Sequence, residues 1–204
     1  LIKLGVKLAI SHIIEKYDKH SEFVITLGYY GKFVKDFLEL AYPSYNFKFV
    51  WVDNYEGEGS SLGYSLMCAE KELQAPFVYH CCDCIVLDEI EITEKNCLYV
   101  NKRTNSSLYA TINKITENEI MKVNKKGEII FDYSYIGIAF IKDYKDFWKS
   151  LKKIYNENKN NTSLSDVDVY IEMMQKNNTK FNYKVVNNWY DSGNITEVND
   201  VILK

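Results

Sequence analysis

Two aspartates stand where a carboxylate could bind a ligand. Asp83 follows the apolar segment 77–82, which is typical of a buried strand, and ligands bind at the carboxyl ends of strands in open α/β sheets. Asp191 lies in the motif Trp189-x-Asp191-x-Gly193, whose glycine permits a tight turn beside a ligand. Each carboxylate is either an ordinary turn residue or a ligand of a hard divalent cation such as Mg²⁺. Two carboxylates that lie close together repel each other, so a shared site would require a cation between them.

A glycine-rich segment, residues 57–63, opens the helical pattern of residues 62–73. Backbone N–H groups in such a loop can approach a phosphate or a flat ring closely. The segment lacks the Gly-Lys-Ser/Thr sequence of a Walker loop. It is therefore either a ligand-binding loop of another kind or a flexible connector.

Residues 80–84 combine an imidazole, three thiols and a carboxylate, which raises the question of a zinc site. Successive side chains of a strand point to opposite faces, so Cys81 and Cys82 cannot chelate one ion together. No second ligand pair with zinc spacing occurs in the sequence. Small buried thiols are the better interpretation.

Two further positions have both a structural and a functional interpretation. Lys126 precedes Gly127 in a hairpin-like turn and is either solvated or a phosphate ligand. Gly137 interrupts the strand pattern of residues 135–141, which weakens a strand unless something must approach the backbone closely.

The elements that position these residues follow an alternating order in the first half of the chain. Helical stripes at residues 8–17, 33–41 and 62–73 alternate with short apolar strands at residues 23–27, 47–52 and 77–82. This order predicts an α/β fold with a mostly parallel central sheet. The second half predicts antiparallel additions, with strands at residues 96–102, 108–112, 120–123, 128–131, 135–141 and 181–186 and helices at residues 143–156 and 165–176.

Composition narrows the class of protein. The chain has 204 residues, 47% of them hydrophobic, which suits a single domain over residues 1–204. The net charge of −3 implies no basic surface and argues against nucleic acid as a partner. No apolar run is long enough to span a bilayer, so no membrane partner is expected. The 5 cysteines predict reduced thiols and a cytoplasmic location, and the oligomeric state is left open.

Taken in order, the motifs resemble those of the sugar-1-phosphate nucleotidylyltransferases, also called the NTP-transferase or pyrophosphorylase family. The matching pieces cover most of the chain and fall in the family's order: residues 1–14 after the signature loop, 23–29 as the second strand, 57–66 as the base-recognition loop, 77–83 as the strand before the first metal-binding aspartate, 126–127 as the sugar-phosphate contact, 135–141 as the Gly-Ile/Leu-Tyr strand, and 189–193 as the Trp-x-Asp-x-Gly motif.

The resemblance implies a Rossmann-like three-layer fold and transfer of a nucleotidyl group from an NTP to a sugar 1-phosphate or similar substrate, in the setting of polysaccharide biosynthesis. It implies that Asp83 and Asp191 hold Mg²⁺ and that Lys126 takes part in catalysis and contacts the phosphorylated substrate. The implied substrate-binding residues also include Tyr135 and Gly137. The implied nucleotide-binding residues are Gly57, Gly59, Ser60, Ser61 and Gly63.

The sequence departs from the family in one important respect. The signature Gly-Gly-x-Gly-Thr-Arg loop, which holds the triphosphate, is absent, and so is the first strand; both are expected upstream of Leu1. A protein without that loop would instead be a catalytically inactive nucleotide- or sugar-binding regulatory module of the same fold. A glycosyltransferase is the third hypothesis, and Asp83-Cys84-Ile85 does not match the Asp-x-Asp motif of that class.

Overall fold

A computed structural model describes residues 3–102 and 106–193. In chain order its elements are β1 (Lys3–Leu4), β2 (Lys7–Leu8), α1 (Ala9–Ile14), β3 (Glu22–Leu27), α2 (Gly31–Ala41), β4 (Asn46–Trp51), α3 (Leu62–Ala69), β5 (Phe77–His80), β6 (Cys84–Val86), β7 (Cys97–Asn101), β8 (Thr111–Lys114), β9 (Ile120–Asn124), β10 (Tyr133–Ile141), α4 (Tyr144–Glu157), α5 (Asp166–Lys176), β11 (Asn182–Val185) and β12 (Trp189–Asp191).

The described residues fall into two compact units that are interleaved along the chain. The first contains residues 3–17, the described part of 77–142, and 179–193; the second contains residues 18–76 and 143–178. The single domain over residues 1–204 stays a prediction.

The first unit is built on a six-stranded sheet with the order β11-β7-β10-β8-β9, in which β5 also pairs with β10. The pair β7–β11 is parallel, and the other pairs of this sheet are antiparallel. Successive residues of β7 and β10 are buried along nearly the whole length of each strand, so both faces of these strands are covered, which explains their largely apolar sequences. Leu98, Ile112 and Ile138 are fully buried in its core. Two smaller antiparallel pairs, β1–β2 and β6–β12, and helix α1 complete this unit.

The second unit contains a parallel pair and four helices. Strands β3 and β4 run parallel in register from Glu22↔Asn46 to Leu27↔Trp51. Helix α4 buries Phe147 and Leu151, and α5 buries residues at the same helical spacing. Ser165 is the N-cap of α5, and its backbone N–H donates to the Asp168 carboxylate at 2.8 Å in a capping box.

The α/β class predicted from the sequence is confirmed, together with its mixture of parallel and antiparallel strands. The six-stranded sheet contains more antiparallel pairs than a mostly parallel sheet would. Short connections, such as residues 115–119 between β8 and β9, can join only antiparallel neighbours. Among the described residues, no helix has the length and apolar character needed to cross a bilayer.

The predicted strand over residues 128–131 is wrong, because this segment is an irregular loop. The Glu128 carboxylate accepts hydrogen bonds from the backbone N–H groups of Ile129 and Ile130, at 3.0 and 3.4 Å. Those donors are therefore turned towards a side chain rather than towards a neighbouring strand.

Candidate active site at two aspartates

Asp83 lies in a tight turn between β5 and β6, one residue before β6 begins. Strand β5 ends at His80, earlier than the predicted segment 77–82, so Cys81 and Cys82 belong to the turn. The turn is closed by the Cys84 N–H, which donates to the Cys81 carbonyl at 3.1 Å. It is anchored to β10 because the Cys81 N–H donates to the Gly137 carbonyl at 2.9 Å.

Asp191 is the last residue of β12, a strand that the sequence did not predict. Strand β12 pairs with β6 rather than with β5, and Asp191 lies opposite Cys84. Ser192 then joins the two aspartate segments, since its backbone N–H and its hydroxyl both donate to the Asp83 carbonyl, at 2.7 and 3.0 Å. The structure thus places Asp83 and Asp191 side by side.

The two carboxylates converge beside Gly193. A Cβ atom built on Gly193 would lie 3.1 Å from Asp191 Oδ1 and 3.2 Å from Asp83 Oδ2. The Gly193 N–H donates to Asp191 Oδ1 at 2.8 Å, and the Tyr109 hydroxyl donates to Asp191 Oδ2 at 3.1 Å. One oxygen of each aspartate therefore borders a space that any other residue at position 193 would fill.

This arrangement fits a hard divalent cation. Its donors are carboxylate oxygens, and Mg²⁺ in proteins is commonly held by one or two carboxylates together with substrate phosphates. Among the described residues, no group of three or more His, Cys, Asp or Glu side chains could hold a metal ion. A structural zinc site needs four ligands, and the described residues form no group large enough to supply them. The residues present therefore fit Mg²⁺, which stays a prediction.

His80 supports the Asp83 turn from the interior of this unit. Its Nε2 lies 2.8 Å from the Cys84 carbonyl, which can only accept, so Nε2 carries the proton. The Tyr17 hydroxyl donates to His80 Nδ1 at 2.7 Å. Burial lowers the pKa of His80 to about 4, which keeps the imidazole neutral near pH 7. Neutral His80 thus connects the Tyr17 hydroxyl to the Cys84 carbonyl, at the end of the turn that contains Asp83.

The thiols around Asp83 have a structural role. Burial is the main cause that raises the pKa of the Cys81 and Cys84 thiols well above their usual range. Negative charge on neighbouring groups raises the pKa further. Both therefore stay protonated near neutral pH and are poor metal ligands. Cys84 is buried, as expected from the sequence, whereas Cys82 is exposed at the surface of the turn.

Gly137 stands in β10 because the Cys81 side chain packs directly against its backbone. Its backbone has φ +86°, and a Cβ atom there would lie 2.9 Å from the Cys81 Cβ. Tyr135 is buried in the same strand. Lys126 is exposed in the turn after β9, beside Gly127 with φ +98°. Substrate contacts by Lys126, Tyr135 and Gly137 stay predictions.

The glycine-rich segment belongs to the second unit and forms an ordered loop. Gly57 and Gly59 have φ values of +85° and +79°, which only glycine adopts readily. The hydroxyl of Ser60 donates to the Gly57 carbonyl at 2.6 Å, and the Ser61 hydroxyl accepts from the Tyr64 N–H at 3.0 Å, capping α3. Gly63 allows close packing, because a Cβ there would lie 2.5 Å from Leu164 Cγ. Nucleotide contacts by this loop stay a prediction.

Tyr109 and Tyr17 are the residues of this site that sequence reasoning missed. Tyr109 precedes β8 and is separated from Asp191 by 82 positions, and no motif links them. Tyr17 was seen only as part of an apolar helical stripe. Ser192, in contrast, lies inside the Trp189–Gly193 motif, where a hydroxyl between two named positions was a usable signal.

The fold matches solved nucleotidyltransferases over nearly the whole chain. A Bacillus anthracis protein described as a glucose-1-phosphate thymidylyltransferase has a TM-score of 0.80 at 17% identity, covering 100% of this chain and 84% of that chain. A UDP-glucose pyrophosphorylase in complex with UDP-glucose has a TM-score of 0.76 at 14% identity, covering 97% and 86%. The CTP:phosphocholine cytidylyltransferase of Streptococcus pneumoniae has a TM-score of 0.74 at 18% identity, covering 100% and 89%.

No protein-family model and no curated protein matches the chain by sequence. At these low identities, the structural matches establish the fold and not the activity. The chain therefore has the fold of the sugar-1-phosphate nucleotidyltransferases, the family that the order of its sequence motifs resembles.

Proposed function

We propose that this protein is a Mg²⁺-dependent nucleotidyltransferase that transfers a nucleoside monophosphate from an NTP to a phosphorylated substrate and releases pyrophosphate. The convergence of Asp83 Oδ2 and Asp191 Oδ1 beside Gly193 carries the proposal. The similar solved structures support it, because their names describe a glucose-1-phosphate thymidylyltransferase, a UDP-glucose pyrophosphorylase and a CTP:phosphocholine cytidylyltransferase. Those names also give the acceptor class, which is a sugar 1-phosphate or a comparable alcohol phosphate such as phosphocholine.

The chemistry is an in-line displacement at the α-phosphorus of the NTP. A phosphate oxygen of the acceptor forms the new bond to that phosphorus while the bond to the bridging oxygen breaks, and pyrophosphate leaves with the bonding electrons. Such a reaction depends mainly on positioning and charge stabilisation. A Mg²⁺ ion held by Asp83 and Asp191 would neutralise charge on the phosphate oxygens.

The protein's own contribution at this site is orientation. Ser192 fixes the Asp83 backbone through two hydrogen bonds, and the Gly193 N–H and the Tyr109 hydroxyl each hold one oxygen of Asp191. These contacts orient the Asp191 carboxylate and fix the backbone of Asp83 before a substrate arrives, which would reduce reorganisation during the reaction.

The remaining predicted contacts complete the proposal. Backbone N–H groups of the loop at Gly57, Gly59, Ser60, Ser61 and Gly63 are proposed to bind the nucleotide. Lys126, Tyr135 and Gly137 are proposed to contact the acceptor, with Lys126 at its phosphate. Lys126 is exposed and so remains accessible to an anionic ligand.

Pyrophosphate release tests the proposal directly. The protein, expressed from its complete reading frame, is incubated with Mg²⁺, each of five NTPs and a panel of sugar 1-phosphates and phosphocholine. At least one pair should release pyrophosphate and form the corresponding nucleotide conjugate. Folded protein that releases none with any pair contradicts the proposal.

Asparagine variants test the two carboxylates. Asp83→Asn and Asp191→Asn should each lower turnover by at least about 100-fold, since several kcal/mol of charge stabilisation are lost. Asp88→Asn is the matched control, because the Asp88 carboxylate accepts hydrogen bonds from the backbone N–H groups of Asn187 and Asn188 instead of facing the aspartate pair. Turnover by the control should stay close to that of the wild type.

A further inference from the structure

Tyr109 makes a contact with the aspartate pair that no sequence motif indicates. Its side chain is 8% exposed, and its hydroxyl donates to Asp191 Oδ2 at 3.1 Å. The ring of Tyr109 packs edge-on against Trp189, with 5.1 Å between the ring centroids and 71° between the planes. Trp189 lies two residues before Asp191 on β12, so Tyr109 contacts the strand at both points.

The two oxygens of Asp191 have different surroundings. Oδ2 accepts from the Tyr109 hydroxyl, whereas Oδ1 accepts from the Gly193 N–H and borders the space that Asp83 Oδ2 also borders. Rotation of the carboxylate about its last bond would exchange these oxygens or turn both away from that space. The hydroxyl of Tyr109 opposes this rotation because turning the carboxylate would break its hydrogen bond.

We propose that Tyr109 is a positioning residue for Asp191: it holds Oδ2 so that Oδ1 is presented, together with Asp83 Oδ2, to a divalent cation. The inference deepens the proposed function and rests on it. A fixed orientation matters here because two carboxylates without a cation repel each other and would otherwise turn apart. Hydrogen bonds to metal-binding carboxylates commonly change metal affinity by about 10–100-fold.

Tyr99 provides a matched control for a merely structural role. It lies in the same buried cluster as Tyr109, and its hydroxyl donates to the Glu91 carbonyl at 2.6 Å. Tyr99→Phe and Tyr109→Phe therefore each remove one buried hydroxyl and one hydrogen bond from the same core. Only Tyr109→Phe removes a contact with an aspartate of the pair.

The experiment measures Mn²⁺ affinity by water-proton relaxation in the wild type, Tyr109→Phe, Tyr99→Phe and Asp191→Asn, with thermal unfolding of each. Tyr109→Phe should weaken Mn²⁺ binding by about tenfold, and Tyr99→Phe by less than about twofold. Asp191→Asn should remove most of the binding. In turnover assays, Tyr109→Phe should require more Mg²⁺ for half-maximal rate and approach the wild-type kcat at saturating Mg²⁺.

The outcomes separate the inference from the proposed function. Equal Mn²⁺ affinity in the wild type and Tyr109→Phe, with weakened binding in Asp191→Asn, overturns the role of Tyr109 and leaves the metal site intact. Equal weakening of Mn²⁺ binding by Tyr99→Phe and Tyr109→Phe also overturns it, because loss of any hydroxyl from this buried cluster would then have the same effect. Absence of Mn²⁺ binding in the folded wild type overturns the metal site itself, and the inference falls with it.

Discussion

Hydrogen bonds from neighbouring residues hold the Asp191 carboxylate and the backbone of Asp83 in place. Asp83 and Asp191 carry like charges and would separate if their side chains were unconstrained. The Tyr109 hydroxyl and the Gly193 N–H instead hold the two oxygens of Asp191, and Ser192 ties the Asp83 carbonyl to the neighbouring segment. Hydrogen bonds to a carboxylate stabilise its charged form, which offsets part of the repulsion. The electrostatic cost that remains is what a cation would remove.

A methyl group at position 193 should occupy the space between the carboxylates. In Gly193→Ala the new Cβ would lie 3.1 Å from Asp191 Oδ1 and 3.2 Å from Asp83 Oδ2, so one of the carboxylates has to move. We expect the Mg²⁺ concentration for half-maximal turnover to rise by about tenfold. The melting temperature should change little, because Gly193 is exposed and its backbone is outside the left-handed region. An unchanged Mg²⁺ dependence would contradict this role.

At the scale of elements, the sequence predicted the strands that are long and apolar and missed those that are short. Strand β5 was expected because residues 77–82 are apolar apart from His80, and Asp83 lies in the turn that follows this strand. Strands β6 and β12 have three residues each, too few to show an alternating pattern. Their pairing is nevertheless what brings Asp191 opposite Cys84 and beside Asp83. The sequence therefore singled out both aspartates as candidate site residues but did not predict the strand pair that brings them together.

The same limit explains why Tyr109 was missed and why residues 128–131 were assigned wrongly. Tyr109 meets Asp191 only through tertiary packing, and local patterns carry no information on contacts so distant in the chain. Residues 129–131 have apolar side chains typical of a strand, yet Ile129 and Ile130 are 87% and 80% exposed. The Glu128 carboxylate binds their N–H groups, which is a local competition that composition does not show.

Strand β10 illustrates how one glycine positions a turn on another strand. Gly137→Ala should destabilise the fold by about 2–5 kcal/mol, since it combines left-handed backbone strain with overpacking against Cys81. Gly57→Ala is the control: its φ of +85° is close to the +86° of Gly137, but a Cβ there meets nothing within 4 Å. The control should therefore lose only about 1–2 kcal/mol from strain. Urea denaturation measures both, and equal losses would show that the contact with Cys81 is unimportant.

At the scale of the whole molecule, the net charge of the protein bears on the proposed binding of a triphosphate. The net charge of the protein is −3. The proposed site would in addition bring a strongly anionic ligand next to two carboxylates. The fold is shared with nucleotidyltransferases at a TM-score of 0.80 despite 17% identity, so the architecture is set by the order of elements rather than by residue identity. If the proposed function holds, an anionic protein of this fold would need a local positive charge to bind a triphosphate, and a divalent cation at the aspartate pair would supply it.

This electrostatic requirement predicts that removing the metal reverses which protein binds an NTP more tightly, the wild type or a variant without the two carboxylates. In EDTA the wild type should bind a free NTP weakly, because Asp83 and Asp191 repel its phosphates, whereas the double variant Asp83→Asn/Asp191→Asn should bind it more tightly by on the order of tenfold. With Mg²⁺ present the order should reverse, since only the wild type can hold the cation between protein and phosphates. Calorimetric titration of the NTP that supports pyrophosphate release measures all four affinities. If the double variant binds more weakly than the wild type in both conditions, the aspartates contribute to nucleotide binding without a cation, and repulsion is not what Mg²⁺ relieves.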